Sequence, residues 1–222
     1  MSEAFPRAAV EGSLRAAIGE LVAAPAPVEA LVDYLALLHR WNRAFNLSAV
    51  RDPQEMVTRH LLDSLSPLSY LEGARLLDVG TGAGLPGIPL ALCRRDLHVT
   101  LLDTNGKKVR FLRQAVAELP LDNVQVVGAR AEQWQPEQRF DTIIARAYAR
   151  LDDLVADTAH LLAPGGQLLA MKGRFDAAAE TERLSAGWHY TVNALHVPGL
   201  DATRTLVRAR PGAEVIDGDR HG

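Results

Sequence analysis

Leu76 to Leu92 reads LLDVGTGAGLPGIPLAL, and its glycines can be taken in two registers. Gly82-Ala83-Gly84-Leu85-Pro86-Gly87 spells G-x-G-x-x-G, the dinucleotide fingerprint. Asp78-Val79-Gly80-Thr81-Gly82-Ala83-Gly84 spells D-x-G-x-G-x-G, the pattern of folds that take S-adenosylmethionine. In either register an apolar strand ends in a glycine turn and feeds a helix. Such a turn lets the backbone approach a ligand closely, and the helix N-terminus carries partial positive charge. Three features favour the methyl donor over NAD. Asp78 stands at the strand's carboxyl end, where it repels a pyrophosphate but attracts an ammonium or sulfonium. Pro86 and Pro89 flank Gly87, the last glycine of the dinucleotide register. A helical stretch also precedes this strand, whereas dinucleotide domains often begin with theirs.

Strands and helices alternate on the C-terminal side of the loop. Strands are expected over 75–79, 97–103, 124–127, 140–145 and 166–172, the last after a Pro164-Gly165-Gly166 turn. Helices are expected over 106–119 and 152–162. Residues 190–197 and 203–210 read as a closing strand pair. This alternation predicts an α/β fold with a doubly wound, mostly parallel sheet, and with the loop read for the methyl donor the expectation is a Rossmann-like fold of the class I S-adenosylmethionine methyltransferase type. On the N-terminal side, Leu14, Ile18, Leu21 and Val22 recur at helical spacing, as do Leu31, Tyr34, Leu35, Leu38 and Trp41. Asn46-Leu47-Ser48 is a break. Asp52 caps a third helix with Pro53 at its first position, running through Met56, His60, Leu61 and Leu65. The expected organisation is a helical extension (1–70), a Rossmann-like domain (71–210) and a frayed tail (211–222).

Composition narrows the function classes. The chain has 222 residues, is 48% hydrophobic and carries a net charge of −3. That charge argues against a generally basic nucleic-acid binder and leaves room for a local basic patch. Aromatic residues make up only 5%, too few for a broad stacking platform. No apolar run is long enough to span a bilayer, and the N-terminus lacks a signal-peptide pattern. Cys93 is the only cysteine, which excludes an intramolecular disulfide and a cysteine-based zinc cluster. A reducing, cytoplasmic location is the expectation. Nothing in the sequence demands more than a monomer.

Asp103 ends the second strand and is placed to accept ribose hydroxyls, a feature common to NAD and S-adenosylmethionine. Ala131 and Glu132 follow the third strand, where a backbone amide meets an adenine ring. Arg146 and Lys172 follow the fourth and fifth strands and so point into the crevice of an open parallel sheet. For each, the alternative is an ion pair with a helix acid. Cys93 lies away from the mouth of strand four, which argues against pyrimidine C5 chemistry. The absence of any Pro-Pro pair argues against exocyclic amine methylation. The remaining acceptors include purine ring nitrogens such as guanine N7, which has a free lone pair and needs no general base. Gly106 to Arg113 is the densest basic stretch, with Lys107, Lys108 and Arg110 as candidate phosphate contacts or an ordinary solvated face.

Asn46-Leu47-Ser48-Ala49-Val50-Arg51-Asp52-Pro53, Arg59-His60-Leu61-Leu62-Asp63-Ser64-Leu65 and Leu85-Pro86-Gly87-Ile88-Pro89 together resemble the RsmG (GidB) family of bacterial small-subunit rRNA methyltransferases. Leu101-Leu102-Asp103, Gly106 to Leu112, Ala145-Arg146-Ala147 and Met171-Lys172-Gly173 fit it too. The resemblance spans about residues 30 to 210. It implies methyl transfer from S-adenosylmethionine to N7 of the guanine at position 527 of 16S rRNA, in the decoding-region loop. The low net charge leans towards the 30S subunit rather than naked RNA as substrate. By the same resemblance Gly80, Leu85, Ala131, Glu132 and Arg146 match cofactor-contacting positions. Asp78, Gly82, Gly84 and Asp103 join them from the loop reading. Arg150 departs from the small residue common in the family, and Thr205 from its usual histidine. Arg51, Arg59 and His60 are expected to border the cleft and meet rRNA. Asp63 is expected to hold Arg59 or His60, or else to form a core polar pair with His60. Three other readings stay open: an NAD-dependent oxidoreductase, a small-molecule methyltransferase and a non-catalytic RNA-binding module on this fold.

Overall fold

A computed structural model of the chain describes residues 4–23, 25–148, 150–184 and 187–212. Seven strands form one sheet in the order β3-β2-β1-β4-β5-β7-β6. They are β1 (Arg75–Val79), β2 (His98–Leu102), β3 (Val124–Val127), β4 (Phe140–Arg146), β5 (Leu162–Lys172), β6 (Trp188–Ala194) and β7 (Thr205–Pro211). Strands β1 to β5 pair in parallel, and β7 runs antiparallel between β5 and β6. Pro211 belongs to β7, one residue into the stretch expected to fray, and residues 213–222 lie outside the described residues.

Alternate residues of each central strand face opposite layers, as the pleat requires. Leu76, Leu101, Ile144, Leu169 and Met171 enter one core with α5 (Gly87–Cys93) and α6 (Gly106–Glu118). Leu77, Leu102, Ile143, Ala145, Leu168 and Ala170 enter the other, under α7 (Leu151–Thr158). The N-terminal helices α1 (Arg7–Ala17) and α2 (Val28–Phe45) bury Val10, Leu14, Leu31, Leu35 and Leu38 in the first of these cores. Trp41 meets Phe111 edge-on at 5.6 Å, joining α2 to α6. Such a pair adds about 1 kcal/mol to its area burial.

Three local expectations change, besides shifts of a few residues in the bounds of α7, β6 and β7. The Pro164–Gly166 stretch is no turn before β5: β5 begins at Leu162 and carries an irregularity where the partners shift from Phe140↔Leu162 to Thr142↔Gln167. Gly165, at φ +75°, supplies the left-handed residue this needs. The periodicity of the first helix continues past its end. It stops at Ala17 and tightens to a 3-10 turn over Ile18–Glu20. The third helix starts as expected, with Asp52 accepting from the amides of Gln54 and Glu55 and Pro53 following the cap. After α3 (Pro53–Met56) it widens to a π-helix over Val57–Leu62 before α4 (Asp63–Leu65). Widened turns of this kind are rare and frequent at functional sites. This one carries Arg59 and His60.

Candidate active site

In this strand order the connections diverge between β1 and β4. An open α/β sheet forms its ligand crevice at the carboxyl ends on either side of such a point. The glycine loop leaves β1 there, and Arg146-Ala147 leaves β4. Gly80 and Thr81 donate to the carbonyl of Leu102, which hooks the loop over the end of β2. Gly80 has φ +66°, and nothing lies within 4 Å of where its Cβ would stand. Its bare backbone therefore faces open space. Gly87 shows the opposite constraint: a Cβ there would lie 2.3 Å from Leu101 and 2.7 Å from Asp78.

Three cavities lie along this edge. The first, of about 380 Å³, is lined by Val79, Gly80, Asp103, Lys108, Ala131 and Glu132, with Tyr148 and Asp157 on its far wall. The second, of about 190 Å³, lies on the glycine loop between Ser48 and Arg146 and is lined by Gly80, Thr81, Gly82 and Leu85. The third, of about 410 Å³, opens between Arg59, His60, Asp63, Arg146, Lys172 and Arg204. Gly80 is common to the first two cavities, and Arg146 and Ala147 to the last two. The three therefore adjoin one another, as a segmented trough along this edge. Ala147 holds φ +63° at the second junction. A non-glycine residue pays a conformational cost there, a feature that clusters at functional sites.

The expected cofactor residues gather around the first two cavities, in different roles. Asp78 is fully buried beneath the loop rather than projecting from the strand end. Its Oδ2 accepts from Thr81 Oγ1 at 2.5 Å and from the Gly87 amide at 2.8 Å, so it ties the loop to α5. Its Oδ1 is buried without a hydrogen-bond partner. Burial pushes its carboxyl up to about 6, against the lowering effect of those two hydrogen bonds. Asp103 accepts from the Gly82 amide at 2.9 Å and the Asn105 amide at 2.8 Å, and Lys108 Nζ stands 3.8 Å away. Gly84 lies inside the turn, packed on Ile88. The Cys93 thiol is pushed up to about 12 by burial, which makes it a poor nucleophile.

At the third cavity the expected partners of Asp63 are replaced. Asp63 holds neither Arg59 nor His60. Its Oδ2 accepts from Arg146 Nη1 at 3.2 Å, and its Oδ1 accepts from Arg204 Nε at 2.6 Å. Arg59 pairs with Glu55 instead, four residues away on its own helix. His60 Nε2 meets Ser48 Oγ at 2.8 Å. Burial, then the nearby Arg146, holds the imidazole down at about 4, so it is neutral near pH 7. The Ser48 loop is itself organised by Asn42, which accepts from the Ser48 amide and donates to the Val50 carbonyl. Arg146 thus satisfies both of its readings: it lines the crevice and it pairs with a helix acid. Lys172 does likewise, donating to the Tyr148 carbonyl at 2.8 Å and pairing with Glu180 at 2.7 Å. The exposed Lys107 and Arg110 on α6, and the exposed Arg51, lie on the outer surface. Arg204 and Tyr148 join the site with no signal in the sequence around them. Arg204 is 141 positions from the carboxylate it meets, so no local pattern announces the pair.

A family model described as rRNA small subunit methyltransferase G (GidB) matches residues 27–207. The chain belongs to this family. A relative from Nitrosococcus oceani, named ribosomal RNA small subunit methyltransferase G, is 53% identical over 185 residues, covering 83% of this chain and 86% of its own. A relative of the same name from Xanthomonas euvesicatoria pv. vesicatoria is 50% identical over 207 residues, covering 92% and 95%. Among solved structures, a complex of DhpI with SAH aligns with a TM-score of 0.53 at 21% identity, covering 83% of this chain and 97% of that one. A predicted O-methyltransferase from Agrobacterium tumefaciens aligns with a TM-score of 0.54 at 26% identity, covering 69% and 80%. The GidB chain described here therefore has the Rossmann-like methyltransferase fold expected from its sequence. Among its described residues no helix is long and apolar enough to cross a membrane.

Proposed function

We propose that this protein transfers the methyl group of S-adenosylmethionine to N7 of the guanine at position 527 of 16S rRNA, with the 30S subunit as substrate. Family membership supports a small-subunit rRNA methyltransferase, and the acceptor atom and position follow from the family resemblance. The observation that carries the reading is the junction at Arg146 and Ala147, where the glycine-loop cavity meets the cavity at the mouths of β4 and β5. A two-substrate transfer needs two adjoining sites, and the Arg146 and Ala147 shared by the linings of these two cavities support that reading.

The residues present fit the donor. Gly80 offers bare backbone to the trough, and Asp78 Oδ1 is an unpartnered acceptor beneath the loop. Asp103, Ala131 and Glu132 would hold the nucleoside half. A carboxylate has about four acceptor sites, so Asp103 can bind ribose hydroxyls and keep its two amides. Gly80, Gly82, Gly84 and Leu85 would shape the site for the methionine half, with Asp78 holding that loop in place. When bound, the donor supplies an electrophilic methyl carbon on a sulfonium. Because the guanine N7 lone pair is free, no side chain of this protein would be needed as a general base. The protein's task is therefore alignment and exclusion of water. Arg146 and Lys172, each tied to a carboxylate, would grip the acceptor. Arg51, Arg59, Lys107 and Arg110 would meet rRNA phosphates, Lys108 would stay beside Asp103 at the nucleoside cavity, and the buried His60 would support the acceptor wall through Ser48.

The test is methyl transfer from labelled S-adenosylmethionine to 30S subunits lacking N7 methylation, mapped by cleavage at the modified guanine. One mark in the decoding-region loop is expected. Tight S-adenosylhomocysteine binding without transfer would keep the cofactor and reject this acceptor.

A further inference from the structure

We infer that Asp63 is a positioning residue for methyl transfer, which holds Arg146 and Arg204 in register on the wall of the acceptor cavity. This rests on the methyltransferase reading above and assigns that site a residue that does not itself touch the reacting atoms.

The Asp63 carboxylate is only 6% exposed, while the Arg146 and Arg204 side chains are 24% and 26% exposed. One oxygen serves each arginine, at 3.2 Å and 2.6 Å. The three residues come from α4, the end of β4 and the residue preceding β7. All three line the same cavity. Backbone carbonyls take a second bond from each guanidinium: Arg146 Nη1 donates to Arg59, and Arg204 Nη1 to Thr203. No hydrogen-bond partner among the described residues takes the Nη2 of either arginine.

The local charge balance adds a second observation. Lys172 is matched by Glu180, and Arg59 by Glu55. Arg146 and Arg204 share the single carboxylate of Asp63, so two guanidinium groups meet one paired acid at this point of the wall. Planar guanidinium forks with unspent N–H groups suit the carbonyl edge or the flanking phosphate of a purine nucleotide. If Asp63 served only as glue between chain segments, one arginine would be enough. Holding two by opposite oxygens fixes their separation, and transfer rates depend steeply on such alignment.

The experiment compares Asp63→Asn and Asp63→Glu with the unmodified chain, in kcat and KM for 30S subunits and in Tm. Asp63→Asn keeps the volume and removes the charge, and kcat should fall roughly 10- to 100-fold. Asp63→Glu restores the charge but displaces both arginines. It should recover Tm without recovering kcat. Asp63→Asn turning over at the unmodified rate would overturn the inference, as would Asp63→Glu recovering Tm and kcat together. If both variants fail to fold, Arg204→Gln decides, because it leaves Asp63 paired with Arg146: reduced kcat supports the inference and full turnover overturns it. If the unmodified chain methylates no 30S subunit, the methyltransferase reading falls and this inference with it. An active unmodified chain with an equally active Asp63→Asn removes the inference alone.

Discussion

Tyr34 Oη donates a 2.7 Å hydrogen bond to the carbonyl of Ala83, so a side chain from α2 holds the glycine loop from behind. Tyr34 is fully buried, and its neighbours join the N-terminal helices to the sheet in one core. The helical extension is therefore part of the loop's support. Tyr34→Phe leaves the Ala83 carbonyl without that donor. An unmet buried acceptor costs about 1–3 kcal/mol. Tm should fall by roughly 2 to 12 °C for a chain of this size. S-adenosylhomocysteine affinity, measured by calorimetry, should fall with it because the loop loses its brace.

Two glycines should respond oppositely to alanine. Gly80 has open space on its Cβ side, so Gly80→Ala should fold with a stability loss of about 1 kcal/mol from the positive φ. Its new methyl group faces the trough, and S-adenosylhomocysteine binding should weaken by about tenfold or more. Gly87→Ala meets Leu101 and Asp78 at distances no carbon tolerates, so it should fail to fold or lose several degrees of Tm. Circular dichroism melts and ligand titration separate the two. A Gly80→Ala protein that binds normally would place the cofactor elsewhere.

The stability of the site has two opposed dependences on pH. His60 is held down at about 4 from an ordinary 6.5, so its contribution is full above 6.5 and is lost as pH falls towards 4. Asp78 is pushed up to about 6 from 3.8, so its contribution is full below 3.8 and is lost as pH rises through 6. Each amounts to about 3 kcal/mol at the order-of-magnitude level, and they largely cancel between pH 4 and 6. His60→Gln should leave a chain that loses stability as pH rises across that window. Asp78→Asn should leave one that gains stability as pH rises. Urea melts at several pH values test both slopes, and parallel profiles for the two variants would refute the assignment.

The α6 stripe should act through charge alone. Lys107 and Arg110 are exposed, and neither lines the three cavities of the trough. Lys107→Ala with Arg110→Ala should raise KM for 30S subunits several-fold and reduce the slope of log affinity on log salt by about one to two. S-adenosylhomocysteine binding should stay unchanged. An unaltered salt slope would make the stripe an ordinary solvated face.

Much of this protein was legible as sequence because the deciding features are local. The alternation of apolar runs with helical periods sets out a parallel sheet. Asp52-Pro53 carries its own helix start, and the glycines of Leu76–Leu92 are required by backbone geometry within a single turn. The strands β1 and β3 keep the bounds expected for them, Arg75–Val79 and Val124–Val127. The limit shows at Asp63. Its sequence neighbours Arg59 and His60 were the natural partners to expect, yet the widened helical turn sends Arg59 outward to Glu55 and His60 to Ser48. The carboxylate is left to Arg146 and Arg204, 83 and 141 positions away. Likewise, no pattern reveals that Asp78 lies buried under its own loop, or that Lys172 is already matched by Glu180. Periodicity and turn chemistry act over a few residues, so the sequence determines elements and their order. Buried charges choose partners by distance in three dimensions, so only the folded chain decides which arginine each acid holds.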